Sequence, residues 1–343
     1  MSAALARREV GRTGLEVSVL GFGGAGIGNL FRVLPDADAA AAVRESFASG
    51  VRYFDTAPFY GFGLSELRIG AELQGAQPTP VISTKVGRRL VPTGPQDANV
   101  GREGYFSPRP FAPVFDYGYD AVMHSHAESL ERLHADVDIL LCHDIGRLTH
   151  GESHAARARE FLDGGYRALC ELRAAGAVRA IGIGVNEWEI CVELLEHCEL
   201  DCILLAGRYT LLEQPALAKL LPLCEQRGVS ILCGGPFNSG ILATGSRAGE
   251  RSHYNYAAPP AAVLERVRRL EAVCEEFAVP LQAAALQFPL GHPCIASVVA
   301  GCTSGAEARN CAAMFAYSIP AAFWLALRER GLIDAAAPLP VAA

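Results

Sequence analysis

Short apolar runs alternate along this chain with longer stretches in which apolar residues recur at helical spacing. Eight of the short runs, counted from Leu20, predict buried strands, and the stretches between them predict helices. The predicted strands cover 20–26 with its exit loop, 51–54, 81–87, 137–144, 178–185, 202–206, 229–233 and 295–300. The predicted helices cover 37–49, 64–73, 120–133, 164–175, 187–197, 214–227, 260–277 and 306–315.

This alternation indicates a parallel sheet, and eight strand–helix units indicate a closed (β/α)8 TIM barrel. A doubly wound open sheet is the alternative. An alternating stretch at 7–19, with Gly11 and Gly14, predicts a short N-terminal β-hairpin, and a C-terminal helix is expected near 321–330. Because no Gly/Ser-rich linker interrupts the pattern, residues 1–343 are expected to form a single domain.

A long stretch after the third strand, residues 88–119, lacks a regular pattern and is rich in Gly, Pro and aromatic residues. Loops of this length in compact proteins are usually functional. We expect either a lid or wall of a substrate pocket, or a passive insertion whose aromatic side chains pack on the barrel.

Three successive predicted strands each carry a titratable residue at the same end: Asp55, Lys85 and His143. Tyr60 lies in the loop just after Asp55. Taken singly, each residue has an ordinary structural explanation, such as a helix cap or a solvated charge. The carboxyl ends of parallel strands meet at one end of a barrel, however, so the four side chains are expected to lie together.

Such a cluster predicts a proton-transfer site. A tyrosine has a pKa of about 10 in water and needs a neighbouring cation to react at neutral pH. Lys85 is expected to stabilise the phenolate and lower the pKa of Tyr60, while Asp55 holds Lys85 as an ammonium. His143 would orient a substrate oxygen or pass the proton onward. The set fits the interconversion of a carbonyl and an alcohol, in which a proton moves on oxygen and a hydride moves on carbon.

The segment Gly21-x-Gly23-x-x-Gly26 contains a dinucleotide-binding fingerprint. A Rossmann fold requires a helix to begin at these glycines. In this sequence the next helix is predicted only after Asp36. We therefore interpret the glycines as a tight strand exit at which a ligand approaches the backbone closely, with Gly23 as a candidate contact.

The composition narrows the class of protein. The chain has 343 residues, half of them apolar, with a net charge of −7 and no basic run, which argues against a nucleic-acid partner. No segment approaches the about 18 consecutive apolar residues of a membrane span, and the N-terminus lacks the apolar core of a secretory signal. The eleven cysteines form no Cys-x-x-Cys pair, so reduced thiols in a cytoplasmic protein are expected and a metal site is not.

In order and local context, Asp55, Tyr60, Lys85 and His143 resemble the catalytic tetrad of the aldo-keto reductases. The matching motifs are F-D-T-A-x-x-Y-G, T-K and a strand ending in H-D. The resemblance extends over nearly the whole chain. It implies a TIM barrel and an oxidoreductase that uses NAD or NADP as its hydride carrier.

The family's cofactor positions carry over one at a time. Asn186 matches the residue that contacts the nicotinamide carboxamide, and Val185 precedes it where the family often has Ser. Ala206 occupies the position of a common Gln. Gly234, in a segment that includes Pro236, stands where the family's stacking aromatic residue usually lies.

A later segment with Gly301 and Thr303, followed by Arg309 and Asn310, resembles the family's phosphate and adenine site. Backbone amides before a helix suit a phosphate. The family often has a basic residue just after this glycine, which pairs with the 2′-phosphate of NADP, whereas this chain has neutral residues there. The resemblance therefore favours NAD slightly over NADP, and the alternative is that Arg309 serves the 2′-phosphate.

Three segments, 115–117, 137–151 and 206–214, resemble the branch that contains the L-fucose and D-threo-aldose 1-dehydrogenases and pyridoxal 4-dehydrogenase. These enzymes oxidise a cyclic hemiacetal to a lactone. The resemblance thus implies a small-molecule sugar or aldehyde substrate, with Tyr60 as the base on the anomeric hydroxyl. Two alternatives stay open: a general NADPH-dependent aldehyde or ketone reductase, and a cofactor-binding regulatory subunit. The oligomeric state, monomer or homo-oligomer, is also open.

Overall fold

The computed structural model describes residues 5–249 and 253–340. Its strands are β1 (Arg7–Glu9), β2 (Glu16–Ser18), β3 (Leu20–Gly23), β4 (Tyr53–Asp55), β5 (Val81–Val86), β6 (Arg88–Pro92), β7 (Phe111–Phe115), β8 (Ile139–His143), β9 (Ala180–Val185), β10 (Cys202–Ala206), β11 (Ser230–Gly234) and β12 (Ile295–Gly301). Eight of them form a closed barrel in the order β10-β11-β12-β3-β4-β5-β8-β9, with parallel pairing throughout. The predicted (β/α)8 TIM barrel is therefore confirmed, and the open sheet is wrong.

Side chains alternate between the inner and outer faces of each barrel strand. In β4, Tyr53 belongs to the cluster inside the barrel and Phe54 to the cluster between strands and helices. The next residue, Asp55, accordingly faces inward. In β8, Leu141 belongs to the inner cluster, so His143, two residues later, also faces inward. This period of two residues places both titratable side chains at the mouth of the barrel.

The helices surround the barrel and bury one face against it. They are α1 (Asp36–Ala48), α2 (Leu64–Leu73), α3 (Tyr119–Leu133), α4 (Arg147–His150), α5 (His154–Glu160), α6 (Tyr166–Ala174), α7 (Glu189–Leu195), α8 (Leu220–Arg227), α9 (Ile241–Thr244), α10 (Ala261–Glu276), α11 (Leu281–Gln287), α12 (Gly305–Phe315) and α13 (Ala321–Glu329). Within residues 5–249 and 253–340, none of the helices is both long enough and apolar enough to cross a membrane.

Several helical regions differ from the prediction, and α4, α5 and α9 have no predicted counterpart. The stretch predicted as one helix at 214–227 is a 3-10 turn, Pro215–Ala218, followed by α8, because Lys219 between them has a non-helical φ of −131°. The sequence pattern does not reveal α11, since four consecutive residues of this short helix, 283–286, are buried and leave no amphipathic stripe. The predicted C-terminal helix is present as α13, and it buries Phe323 and Trp324.

The predicted N-terminal hairpin closes the amino end of the barrel. Strands β1 and β2 pair antiparallel, and the apolar side chains of Val10, Leu15 and Val17 join the inner cluster. Arg8 Nη1 donates a hydrogen bond to the carbonyl of Ile295 at 2.7 Å, just where β12 begins. The hairpin therefore covers the inner core at the end opposite the candidate site.

The stretch at 88–119 is more regular than its composition indicates. Strands β6 and β7 form an antiparallel ribbon in which Arg88 pairs with Phe115 and Leu90 with Pro113. The prolines hide the strand pattern in the sequence, because proline is tolerated only at strand edges and ends. The ribbon stands apart from the barrel sheet as a separate sheet of two strands.

Candidate active site

The four predicted catalytic side chains lie together at the carboxyl ends of three neighbouring barrel strands, β4, β5 and β8. Lys85 Nζ is 4.7 Å from the centroid of the Tyr60 ring. The His143 ring meets the Tyr60 ring edge-on, with centroids 5.7 Å apart. Asp55 Oδ2 is 2.7 Å from Lys85 Nζ. The structure thus brings all four side chains into one cluster, and their catalytic roles stay a prediction.

Lys85 is buried at the centre of this cluster, with 1% of its side chain exposed. A lysine ammonium has three N–H donors. Nζ donates to Asp55 Oδ1 at 2.8 Å, to Asp55 Oδ2 at 2.7 Å and to the carbonyl of Thr56 at 2.8 Å. These acceptors use all three donors, so Lys85 acts on the Tyr60 hydroxyl through space rather than by a hydrogen bond.

The expected fall in the pKa of Tyr60 is wrong for this structure. Burial raises the pKa of Tyr60 well above its usual value, and the charge of Asp55 adds to the rise. The physical reason is burial, since removal from water disfavours the charged phenolate, and the negative charge of Asp55 disfavours it further. Tyr60 is therefore a neutral phenol, and hence a proton donor, near pH 7.

A chain of hydroxyl groups holds the Asp55 carboxylate in place. Ser83 Oγ donates to Asp55 Oδ1 at 2.7 Å and lies 2.9 Å from the Tyr53 hydroxyl. Burial raises the pKa of Asp55, while the charge of Lys85 and the hydrogen bonds from Lys85 and Ser83 oppose the rise. Because its oxygens are fixed from two sides, Asp55 holds Lys85 in one position beside Tyr60.

His143 is neutral in this environment. Its ring packs edge-on against Phe59, with centroids 6.1 Å apart, and its Nε2 lies 3.5 Å from Asp144 Oδ2. Burial lowers the pKa of His143 well below its usual value, and the positive charges of Arg88 and Lys85 lower it further. His143 can therefore offer a hydrogen bond, but not a positive charge, to a substrate oxygen at pH 7.

The segment 88–119 forms one wall of the site. Tyr105 is buried, and its ring lies 5.2 Å from Phe59 and 6.2 Å from Tyr60, measured between centroids. Asn29 Nδ2 donates to the carbonyl of Phe106 at 2.8 Å, which ties the segment to the loop after β3. The aromatic residues of this insertion thus contact the predicted catalytic cluster directly, as expected for a wall of the pocket.

The glycines after β3 serve close contacts between loops. No α-helix begins at them: a 3-10 turn, Gly26–Gly28, follows, and α1 starts only at Asp36, so the Rossmann interpretation is wrong. A Cβ atom on Gly28 would lie 2.7 Å from the backbone carbon of Tyr60. Only glycine at this position lets the loop after β3 rest against the loop that carries Tyr60.

The predicted cofactor positions on the strands occupy the other arc of the mouth. Gly23, Gly234 and Gly301 end β3, β11 and β12, and Asn186 follows β9. In the barrel, β11, β12 and β3 are consecutive neighbours, and β10 alone separates them from β9. Gly23 pairs with Gly301 in register. Strand ends that lack side chains allow a ligand to approach the backbone closely, which suits the dinucleotide that the family resemblance implies. Pro236 lies buried just beyond β11.

The remaining predicted cofactor residues lie on or before α12. The backbone N and Oγ1 of Thr303 donate to the Glu307 carboxylate at 2.7 and 3.0 Å. Arg309 pairs with Glu45 at 3.1 Å, and Asn310 donates to Gln282 at 2.6 Å. Arg309 and Asn310 therefore contact the neighbouring helices α1 and α11 rather than the tetrad. In the part of the chain that the structure describes, no group of three or more His, Cys, Asp or Glu side chains could hold a metal ion.

Sequence reasoning missed two charged residues of the site, Arg88 and Asp144. Arg88 Nη2 lies 2.6 Å from Asp144 Oδ2, and both side chains are largely buried. Asp144 directly follows His143, and Arg88 lies shortly after Lys85, and the sequence singles out both His143 and Lys85. A charge next to a strand end was the available signal, but the pairing of the two depends on the barrel bringing β5 beside β8.

Comparison with known proteins places this chain in a family. Residues 19–329 match the family model described as "Aldo/keto reductase family". A pyridoxal 4-dehydrogenase from Microbacterium luteolum is 44% identical over 338 residues, which cover 96% of this chain and 98% of that protein. A D-threo-aldose 1-dehydrogenase from a Pseudomonas species is 40% identical over 326 residues, covering 93% of this chain and 96% of that protein.

A solved structure shares the fold. The holo form of an aldo-keto reductase from Bacillus halodurans superposes with a TM-score of 0.74, covering 97% of each chain at 23% sequence identity. At that identity the similarity supports the barrel architecture alone.

Proposed function

Because the chain belongs to the Aldo/keto reductase family and is thereby an NAD(P)-dependent oxidoreductase, we propose that it oxidises the anomeric hydroxyl of a cyclic hemiacetal to a lactone. The observation that carries the proposal is the phenol of Tyr60, packed between the buried Lys85–Asp55 pair and the neutral His143. This arrangement moves a proton on a substrate oxygen, which is the protein's share of alcohol oxidation.

Two substrates fit this chemistry. An aldose of the L-fucose or D-threo type is one candidate, supported by the D-threo-aldose 1-dehydrogenase at 40% identity. Pyridoxal is the other, supported by the pyridoxal 4-dehydrogenase at 44% identity. Both present a ring carbon that bears a hydroxyl, so one site geometry serves either substrate.

The proposed roles follow from the contacts. In oxidation, Tyr60 accepts the proton of the anomeric hydroxyl as its phenolate and becomes the neutral phenol, and His143 orients that oxygen with a neutral hydrogen bond. Lys85 and Asp55 fix the position of the Tyr60 ring and set the local field. A bound nicotinamide supplies the hydride acceptor, with Asn186 and the glycine arc as its proposed contacts.

Cofactor preference is inferred to favour NAD. The Glu307 carboxylate, bonded to Thr303, puts a negative charge beside the segment that resembles the family's phosphate and adenine site. A carboxylate there can accept from a ribose 2′-hydroxyl and repels a 2′-phosphate. The exposed Arg32, whose Nη2 lies 3.4 Å from Thr303 Oγ1, supports NADP as the second candidate.

The free state of all eleven cysteines supports the proposal that the protein works in the cytoplasm. We also propose that the chain acts as a single domain, because the terminal hairpin and α13 both pack on the barrel.

A substrate panel with both cofactors tests the function. Purified protein is mixed with NAD or NADP and with L-fucose, other D-threo-aldoses or pyridoxal, and reduced nicotinamide is followed by its absorbance. We expect oxidation that Tyr60→Phe lowers by about 1,000-fold or more, since general acid–base catalysis contributes up to about 10⁴-fold. Tyr119→Phe, at a surface tyrosine that pairs with Glu171, is the matched control.

Other outcomes identify the alternatives. Reduction of simple aldehydes with NADPH, without oxidation of any hemiacetal, would replace the proposal by a general reductase. Binding of reduced nicotinamide without turnover on the panel would favour a regulatory subunit. For the cofactor, Glu307→Gln is expected to raise kcat/KM with NADP by about 10-fold, whereas Arg309→Ala leaves it unchanged. A loss confined to NADP in Arg309→Ala would show that Arg309 serves the 2′-phosphate.

A further inference from the structure

Arg88 is a buried cation that the proposed mechanism does not use. Its guanidinium lies 3.9 Å from the centroid of the Phe59 ring and 4.8 Å from that of Phe115. Only 11% of its side chain is exposed, and it pairs with Asp144 at 2.6 Å. A second carboxylate, Glu103, lies farther away at 3.9 Å and is 54% exposed. A guanidinium packed against two aromatic rings has little freedom, so its partner Asp144 is held as well.

Asp144 connects this cation to the candidate active site. Its Oδ2 lies 3.5 Å from His143 Nε2, and its Oδ1 accepts from Asn186 Nδ2 at 3.4 Å. Burial raises the pKa of two neighbouring phenols at the mouth, Tyr60 and Tyr105, and the charge of Asp144 adds to each rise. The carboxylate therefore lies within electrostatic reach of both phenols.

The Asp144 carboxylate has acceptor capacity left over. An ionised carboxylate offers about four lone-pair positions. The contact with Arg88 is short, but those with His143 and Asn186 are longer than the roughly 2.7–3.2 Å of a good hydrogen bond. A hydroxyl group arriving at the mouth would form a shorter, charge-assisted bond of the kind these contacts do not supply.

We propose that the Arg88–Asp144 ion pair binds a ring hydroxyl of the substrate next to the reacting carbon and thereby selects hydroxylated ring substrates over simple aldehydes. This inference rests on the proposed oxidation of a hemiacetal. The ring of Tyr105, beside Tyr60, offers an apolar face to such a ring, and the ion pair supplies the polar contact that fixes its orientation. Asp144 is then a specificity-determining residue, and Arg88 positions it.

The test combines a change in the protein with a change in the substrate. Asp144→Asn keeps the shape of the side chain and removes its charge. Wild type and variant are assayed with the parent substrate and with analogues that each lack one hydroxyl: monodeoxy sugars if the sugar is oxidised, and 3-deoxypyridoxal if pyridoxal is. In wild type, removal of the contacted hydroxyl is expected to lower kcat/KM by about 10- to 100-fold. In Asp144→Asn the same removal should change kcat/KM by less than about 3-fold, because the charge-assisted bond is already lost.

Controls separate this role from a structural one. Glu103→Gln, at the exposed second neighbour of Arg88, should keep the wild-type response to every analogue. Thermal unfolding followed by circular dichroism shows whether each variant folds, and Arg88→Lys carries the same comparison should Asp144→Asn not fold. Equal losses in wild type and variant for every analogue would overturn the inference and leave the pair as a brace for His143. Failure of wild type to oxidise any parent hemiacetal would instead show that the proposed function itself is wrong.

Discussion

Gly184, on β9, leaves the space that the Lys85 side chain occupies. A Cβ atom at this position would lie 3.1 Å from Lys85 Cε and 3.4 Å from Lys85 Cδ. Carbon atoms in contact prefer a separation of about 3.5–4.0 Å. Gly184→Ala must therefore push the lysine by roughly half an ångström, while three hydrogen bonds of 2.7–2.8 Å hold its ammonium in place.

The expected cost has two parts. Overpacking of a filled interior lowers the free energy of unfolding by about 1–3 kcal/mol. Displacement of the ammonium also moves the Tyr60 ring that it faces, and a misplacement of about 1 Å can cost about 100-fold in rate, so kcat should fall by roughly 10-fold or more. Urea unfolding and steady-state kinetics measure the two effects on the same preparation.

Gly94→Ala is the matched control, because a Cβ atom on Gly94 would meet nothing within 4 Å. It should change the free energy of unfolding by no more than about 0.5 kcal/mol and leave kcat unchanged. If Gly184→Ala behaved like this control, the packing of Lys85 against β9, and with it the geometry argued for the site, would be refuted.

Burial raises the pKa of Tyr60, and the charge of Asp55 raises it further. Oxidation requires the phenolate, so its rate should increase as the pH rises toward about 10. Reduction requires the phenol, so its rate should stay level over that range. Profiles of kcat/KM against pH in both directions check this, and an oxidation rate that already levels off below about pH 8 would contradict it. Because the pKa of His143 is lowered, neither profile should show a histidine limb between about pH 6 and 7. Arg132→Met should lower the free energy of unfolding by about 3–5 kcal/mol in urea, since it removes the cation that pairs with the fully buried Glu66 carboxylate and leaves the Thr84 hydroxyl as its donor. Arg268→Met, at an exposed arginine, is its control, and a loss below about 1 kcal/mol for Arg132→Met would show that Glu66 is stabilised by other partners.

The barrel and the identity of the central cluster could be predicted from the sequence. Strand runs such as 202–206 and helices such as 64–73 have the bounds that their patterns predict, because hydrophobic periodicity is a property of neighbouring residues. Three of the clustered side chains face inward near the carboxyl ends of parallel strands: Asp55, Lys85 and His143. They lie together because a closed parallel barrel brings the carboxyl ends of all its strands to one mouth.

The local sequence pattern was least informative where contacts with distant parts of the chain decide the structure of a segment. The ribbon of β6 and β7 contains prolines, and α11 is buried nearly all round, so neither shows the periodicity of its class. Arg309 illustrates the same limit for the site, since its pairing with Glu45 joins two helices that are far apart in the sequence.

The sequence by itself determined which titratable side chains form the predicted proton-transfer site and at which end of the barrel they lie. Only the tertiary structure decided their electrostatic state. The rise in the Tyr60 pKa depends on burial and on the charge of the nearby Asp55, and the contact between Arg88 and Asp144 joins residues 56 positions apart. Solvent exclusion and charge pairing act between groups that are close in space, and a one-dimensional pattern carries no information about those distances.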